Sequence, residues 1–244
     1  ERGRTQAELQ QLKQEGYQAF FENQPIRSIA GNQLYRRFHW GQLATMHALD
    51  TRQFRSDPAC GGGFREVCDD RLSADRSMLG AEQTQWLTQG MQADERRWNL
   101  IAQSVVMGNL DFENTVANFD QWDGFTANRQ QIIDVAKDRR GTVVLSGDIH
   151  AAGVASITVD GLDPRSRPVM TEFITPAITS GAGDNTVFGA LIANQSHVEY
   201  ANGDVRGYMV GQVTTDTMNV DLRVVDTVLE PESGIRTERS FRVD

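Results

Sequence analysis

Residues 142–150 read TVVLSGDIH. The compact β-branched run at 142–145 predicts a buried strand. It runs into Ser146 and Gly147 and delivers Asp148, Ile149 and His150 at its carboxyl end. In α/β folds that end is where ligands gather. Gly147 lets the backbone turn sharply. Asp148 and His150 are two positions apart, so on an extended backbone they point to the same side. A carboxylate and an imidazole on one side suit adjacent metal ions, or one ion and its substrate. An Asp and a His after a strand also commonly form a capped turn, and the local motif leaves both readings open.

Outward from this strand, helices and strands alternate. Residues 5–23 read as an amphipathic helix with Leu9, Leu12, Phe20 and Phe21 on one stripe, stopped at Pro25. A strand is expected over 43–49, a long loop over 56–76 and a helix over 81–92 with Trp86, Leu87 and Met91 inward. A short strand follows at 98–102, then irregular chain over 108–124 and a helix over 127–137. Strands are expected at 154–159 and 169–174, loop and helix over 180–197, and a hairpin of 208–214 with 218–225. That order predicts an α/β sandwich. No shift in composition marks an internal boundary.

The chain has 244 residues, enough for a sizeable core. Its apolar fraction of 39% and mean hydropathy of −0.46 are ordinary for a globular protein. No run approaches the length of a membrane-spanning helix. A net charge of −9 repels phosphate backbones, so no nucleic-acid partner is expected. A bound metal would still let a phosphorylated small substrate approach. The chain opens at Glu1, in helical sequence, which reads as a fragment rather than a natural start.

Other segments carry candidate chemistry. In DQWDGF, residues 120–125, Asp120 and Asp123 flank Trp122. They could serve a metal, or Trp122 and Phe125 could anchor the loop while Asp123 caps the next helix. In DTRQFR, residues 50–55, Arg52 could fork onto a phosphate. It could equally pair with Asp50 or Asp57 and hold the loop. His47, inside an apolar strand, reads as a satisfied core residue, and Glu172 as a partnered structural carboxylate. His197 reads as solvated, and His39 receives no role. Cys60 and Cys68 enclose seven residues, three of them glycine. A disulfide closes easily there and would imply export; two free thiols are the other reading.

Eight stretches, taken in order, carry a resemblance: YQAFFENQPIR (17–27), LYRRFHWGQLATMHALDTRQFR (34–55), MLGAEQTQWL (78–87), RWNLIAQSVV (97–106), DQWDGF (120–125), VVLSGDIH (143–150), TEFITPAITS (171–180) and the spacing of His197, Tyr200, Gly207 and Tyr208. Together they resemble the PhoD-type alkaline phosphatases, within the binuclear metallophosphoesterases. The resemblance implies a metallophosphoesterase-like α/β sandwich of mixed sheets flanked by helices, with the amino-terminal half missing. Residues 1–244 would then be the carboxyl-terminal portion of a single catalytic domain. The family's early Asp, its Cys-containing metal motif, its bridging Asp and its W-D-D-H-E-type motif do not occur here.

By that likeness Asp148 and His150 are the catalytic metal ligands, His150 at an iron-like site and Asp148 at a neighbouring calcium-like site. Gln103 stands where many relatives place a metal-binding His, and its amide oxygen suits calcium better than zinc. Asp123 and Asp120 are weaker ligand candidates, and Arg52 is a substrate-binding candidate. The implied cofactor is a binuclear or larger centre of iron with calcium. The implied reaction is hydrolysis of phosphate monoesters or diesters by a metal-activated hydroxide, in a secreted or periplasmic enzyme. A phospholipase D-like phosphodiesterase and a noncatalytic α/β binding module are the alternatives. The missing half is expected as a separate, associated chain.

Overall fold

The structure is a computed structural model, and it describes residues 3–27, 29–111, 116–181 and 195–244. Most of the loop and helix expected over 180–197 therefore lies outside the described residues. The chain divides into two compact units, Glu1–Tyr35 and Arg36–Asp244.

The first unit is built on helix α1 (Gln6–Asn23). Its start is a capping box. The Thr5 hydroxyl accepts the Glu8 N–H at 3.3 Å, and Glu8 Oε2 accepts the Thr5 N–H at 2.7 Å. Those bonds hold the Glu8 carboxyl below its ordinary range. The helix ends at Gln24, just before Pro25. No residue of α1 is fully buried. The expected stripe reduces to ring contacts of Phe21 with Tyr17 and Phe20.

The second unit has three layers. Its middle layer is a seven-stranded mixed sheet: β1 (Arg36–Trp40), β2 (Ala44–Ala48), β4 (Trp98–Ala102), β6 (Thr142–Ser146), β8 (Pro168–Ile174), β7 (Ala152–Thr158) and β9 (Val198–Asn202), in that spatial order. Strands β2, β4, β6 and β8 are parallel. Strands β1, β7 and β9 run antiparallel to their neighbours, with β1 and β9 at the edges. In the loop after β2, β3 (Phe64–Glu66) pairs with β5 (Val116–Asn118), which follows β4, as a small separate ribbon.

Register alternation decides which side chains face which layer. Ile101 and Val144, paired across β4 and β6, lie in one core with Leu87 and Met91 of α2 (Gly80–Ala93) and Ile132 and Ile133 of α3 (Thr126–Ala136). Leu100 and Val143, the next pair, face the other way. There they meet Val220, Leu222 and Val224 of an antiparallel sheet made of β10 (Gly207–Val213), β11 (Met218–Val225) and β12 (Ile235–Val243). Trp98 is wholly buried between the two sheets and donates its indole N–H to Thr214 O at 2.6 Å. Helices thus cover one face of the main sheet and a second sheet covers the other.

His47 sits fully buried on β2, as expected of a core histidine. Its Nδ1 accepts the Arg37 Nε–H at 3.1 Å, so its Nε2–H donates to Asn99 Oδ1, also at 3.1 Å. Burial, reinforced by Arg37, pushes its pKa down to about 4. Arg37 continues over the Trp86 ring, 4.5 Å from its centroid, and donates to Trp86 O at 2.9 Å. It lies so close to Gly90 that a Cβ there would stand 1.7 Å from its Nη2.

Two outcomes follow. Gly90→Ala, which in an open helix gains about 1 kcal/mol, is expected to lower stability by about 1–3 kcal/mol in urea melts, because Arg37 must leave Trp86 and His47. An increase in stability refutes the packing. His47 stays neutral in the folded chain until about pH 4 but protonates near 6.5 when unfolded. Its contribution is intact above pH 6.5 and is lost as pH falls toward 4, by about 3 kcal/mol. His47→Gln should flatten melting temperature against pH across that window. Parallel curves for the two proteins would contradict the burial argument.

Candidate active site at the carboxyl ends of the parallel strands

The parallel strands β2, β4, β6 and β8 all end on one edge of the sheet. The chain leaving each contributes to that edge: Asp50 and Arg52 after β2, Gln103 after β4, residues 147–150 after β6, and Thr175 after β8. The first loop is held by Asp50. Its buried carboxylate accepts the N–H groups of Arg52 and Gln53, each at 3.0 Å, while its own backbone is clamped by Gln83 of α2. Arg52 is left reaching outward. Its Nη2 lies 3.4 Å from Asp148 Oδ1, with both side chains about half exposed. The sequence offered Asp50 or Asp57 as its partner; the guanidinium instead meets the carboxylate delivered by β6.

The turn after β6 departs from the extended backbone expected of it. Asp148 has φ 75° and His150 φ 58°, both in the left-handed region. Asp and His tolerate that region better than most residues, yet two in three positions is uncommon. Such strain concentrates where a fold presents functional groups. The turn is pinned at its base by Thr175, whose N–H and hydroxyl both donate to Ser146 O at 2.9 Å. His150 Nδ1 lies 3.2 Å from Gly181 O. A carbonyl accepts only, so Nδ1 carries a proton and Nε2 is the nitrogen left to face a metal.

Beneath the turn lies a polar relay. Trp122 Nε1–H donates to Gln103 Oε1 at 3.2 Å, Gln103 Nε2 donates to Ser146 Oγ at 2.6 Å, and Ser146 donates to Glu172. Glu172 is wholly buried and also accepts the N–H groups of Met107 and Gly108, each at 2.7 Å. Burial pushes its carboxyl up, and these bonds oppose the shift. The Gln103 oxygen accepts from Val105 N–H as well, so both its lone pairs are engaged. Gln103 is a strut under the turn.

Asp123 is fully buried. It binds Arg129 at 2.7 Å and accepts the Leu110 N–H at 3.0 Å. It neither joins Asp148 nor caps α3, whose amino end has no side-chain cap. Burial raises its pKa against the pull of Arg129. Asp120 lies off the edge as well, with its carbonyl accepting Arg55 Nη1–H at 3.2 Å. His197 is buried rather than solvated, with Nε2 2.7 Å from Asn109 O. Cys60 and Cys68 form a disulfide. Among the described residues, no three His, Cys, Asp or Glu side chains converge closely enough to hold a metal unaided.

Known proteins share this architecture. The sequence profile described as PhoD-like phosphatase matches residues 1–222. The chain is 34% identical over 238 residues to the Bacillus subtilis (strain 168) protein named alkaline phosphatase D, an alignment covering 92% of this chain and 41% of that relative. A solved structure described as Structure of PhoD superposes with a TM-score of 0.86 at 34% identity, covering 93% of this chain and 46% of the other. The chain thus spans less than half the length of these relatives.

Glu172 is the test of the relay. Glu172→Leu would strand the Met107 and Gly108 N–H groups and the Ser146 hydroxyl in the core, a loss of about 3 kcal/mol or more by urea denaturation. A change under about 1 kcal/mol would show that the carboxylate does not support the edge.

Proposed function

Because this chain belongs to the PhoD-like phosphatase family, we propose that it contributes part of a metal-dependent site for hydrolysing phosphate esters. One observation carries the reading: a left-handed turn at the end of β6 presents an Asp and a His whose Nδ1 faces the Gly181 carbonyl, with an arginine beside the carboxylate. A carboxylate oxygen and an imidazole nitrogen are the donor types a phosphoesterase metal centre takes. Asp148 and His150 fit two of its positions. The remaining ligands would come from sequence beyond these 244 residues, and nothing in the matches assigns them to a separate polypeptide.

Asp148 and His150 would hold metal in this reading, His150 through Nε2. Iron with calcium is the pair we favour, zinc being less suited to an oxygen-rich set. When bound, the metal centre supplies positive charge that acidifies water and neutralises phosphoryl oxygens. The chain's own part is positional. Arg52, half exposed and held among the described residues by a 3.4 Å contact to Asp148, swings onto a non-bridging phosphoryl oxygen. The Gly181 carbonyl fixes the His150 tautomer, and the Ser146 to Glu172 relay holds the turn still. Gln103 positions the turn through Ser146, while Asp123 and Asp120 remain outside the ligand set. The disulfide favours export, secreted or periplasmic.

The proposal is tested by turnover of p-nitrophenyl phosphate and bis-p-nitrophenyl phosphate, with metal content measured on the same sample. Asp148→Asn and His150→Gln are each expected to lower kcat/KM by at least about 100-fold and to reduce bound metal. Arg52→Ala should raise KM about tenfold with metal content unchanged. Preference between the two esters separates a monoesterase from a phospholipase D-like diesterase. A metal-free, inactive protein whose melting is indifferent to iron and calcium would identify a noncatalytic binding module instead.

A further inference from the structure

The opposite ends of the same strands frame a second feature. A cavity of about 510 Å³ opens where β6 and β8 begin. Four cationic side chains line it: Lys137, Arg139 and Arg140 from the turn between α3 and β6, and Arg167 just before β8. Among the described residues, Arg140 and Arg167 have no carboxylate within ion-pair distance, although the protein as a whole carries −9. Two acidic residues, Asp138 and Asp244, also reach the lining, and Asp244 is engaged by Arg242 at 2.7 Å.

Thr142 is the first residue of β6, only 3% exposed, and it lines the cavity. Its hydroxyl has no hydrogen-bond partner among the described residues, and neither does the buried Nε of Arg139. A buried hydroxyl and guanidine N–H without partners cost about 1–3 kcal/mol each. Each of those two atoms exposes less than 1 Å², so they lie behind the cavity wall rather than in it, and the ligand that an open cluster of cations takes is an oxyanion. No aromatic ring lines the cavity, so a base or sugar ring finds no stacking face there.

We propose that this cavity is a binding site for a multivalent oxyanion of the condensed-phosphate class, gripped by Arg140 and Arg167 with Lys137 and Arg139 beside them. The five residues of β6 separate it from Asp148 by about 16 Å or more, at about 3.3 Å per residue. It therefore stands or falls separately from the phosphoesterase reading.

Inorganic tripolyphosphate is the probe, titrated calorimetrically into the whole protein with a chelator present to silence any metal-borne phosphate affinity. Saturable binding that weakens as salt rises is expected. The exposed pair Arg140→Glu with Arg167→Glu should lose at least tenfold in affinity without a change in melting temperature. Thr142→Val, which alters only a hydroxyl the cavity does not reach, should bind as the unaltered protein does. The variant Asp148→Asn should bind as the unaltered protein does. Absence of binding at millimolar probe, full binding by the double variant, or loss of binding in Asp148→Asn would each overturn the proposal.

Discussion

A single buried carboxylate organises the edge where the parallel strands end. Glu172 sits in the middle of β8, wholly shielded from water, and gathers donors from two other segments. Met107 and Gly108 belong to the chain leaving β4, and Ser146 ends β6. A carboxyl group in such a place is tolerable only when it is well hydrogen-bonded, and three donors serve it here. The bond geometry therefore leaves the two strand exits little freedom. Gly108 is part of the same constraint, because a Cβ there would stand 2.9 Å from Glu172 Oε2. The relay through Ser146 to Gln103 and Trp122 extends the hold outward, each donor polarising the next.

That support explains how the turn at 147–150 keeps an unfavourable backbone. Left-handed φ at Asp148 and His150 costs about 1–3 kcal/mol each. Nothing in the turn's own hydrophobic content offsets it, since Asp148 and His150 are exposed. The compensation is beneath: Thr175 fastens Ser146 O twice, and the Gly147 position admits Thr175 Oγ1 within 3.4 Å of a would-be Cβ. A rigid base under a strained, exposed carboxylate and imidazole is the arrangement expected of groups held ready for a ligand.

The parts of this plan that sequence reveals are those with strong periodicity. The runs at 98–102 and 142–146 are apolar on both faces because both faces are covered, and they read as strands without help. Helices α2 and α3 also fall within a residue or two of expectation. Strands β1 and β12 are hidden for the opposite reason. Both are edge strands dressed in charge, RRFHW and IRTERSFRV, and β12 fully buries Phe241 alone, with Val243 packed partly against the core. Polar edges of that kind read as loop. The resemblance to PhoD-type phosphatases, by contrast, was legible from ordered motifs and agrees with the family match.

Site residues divide along the same line. The position of Asp148 and His150 at the strand-end edge was legible because an apolar strand runs directly into them. The roles of Gln103, Asp123 and His197 were not, since each depends on a partner 19, 6 or 88 residues away. An Asp beside a Trp looks like a ligand until Arg129, one and a half turns further on, is seen to occupy it. The same blindness covers Arg52, whose partner Asp148 is 96 residues distant. Sequence spacing reports which side chains share a local face. It is silent on long-range pairing, and long-range pairing decides whether a carboxylate is committed to the fold or free for chemistry.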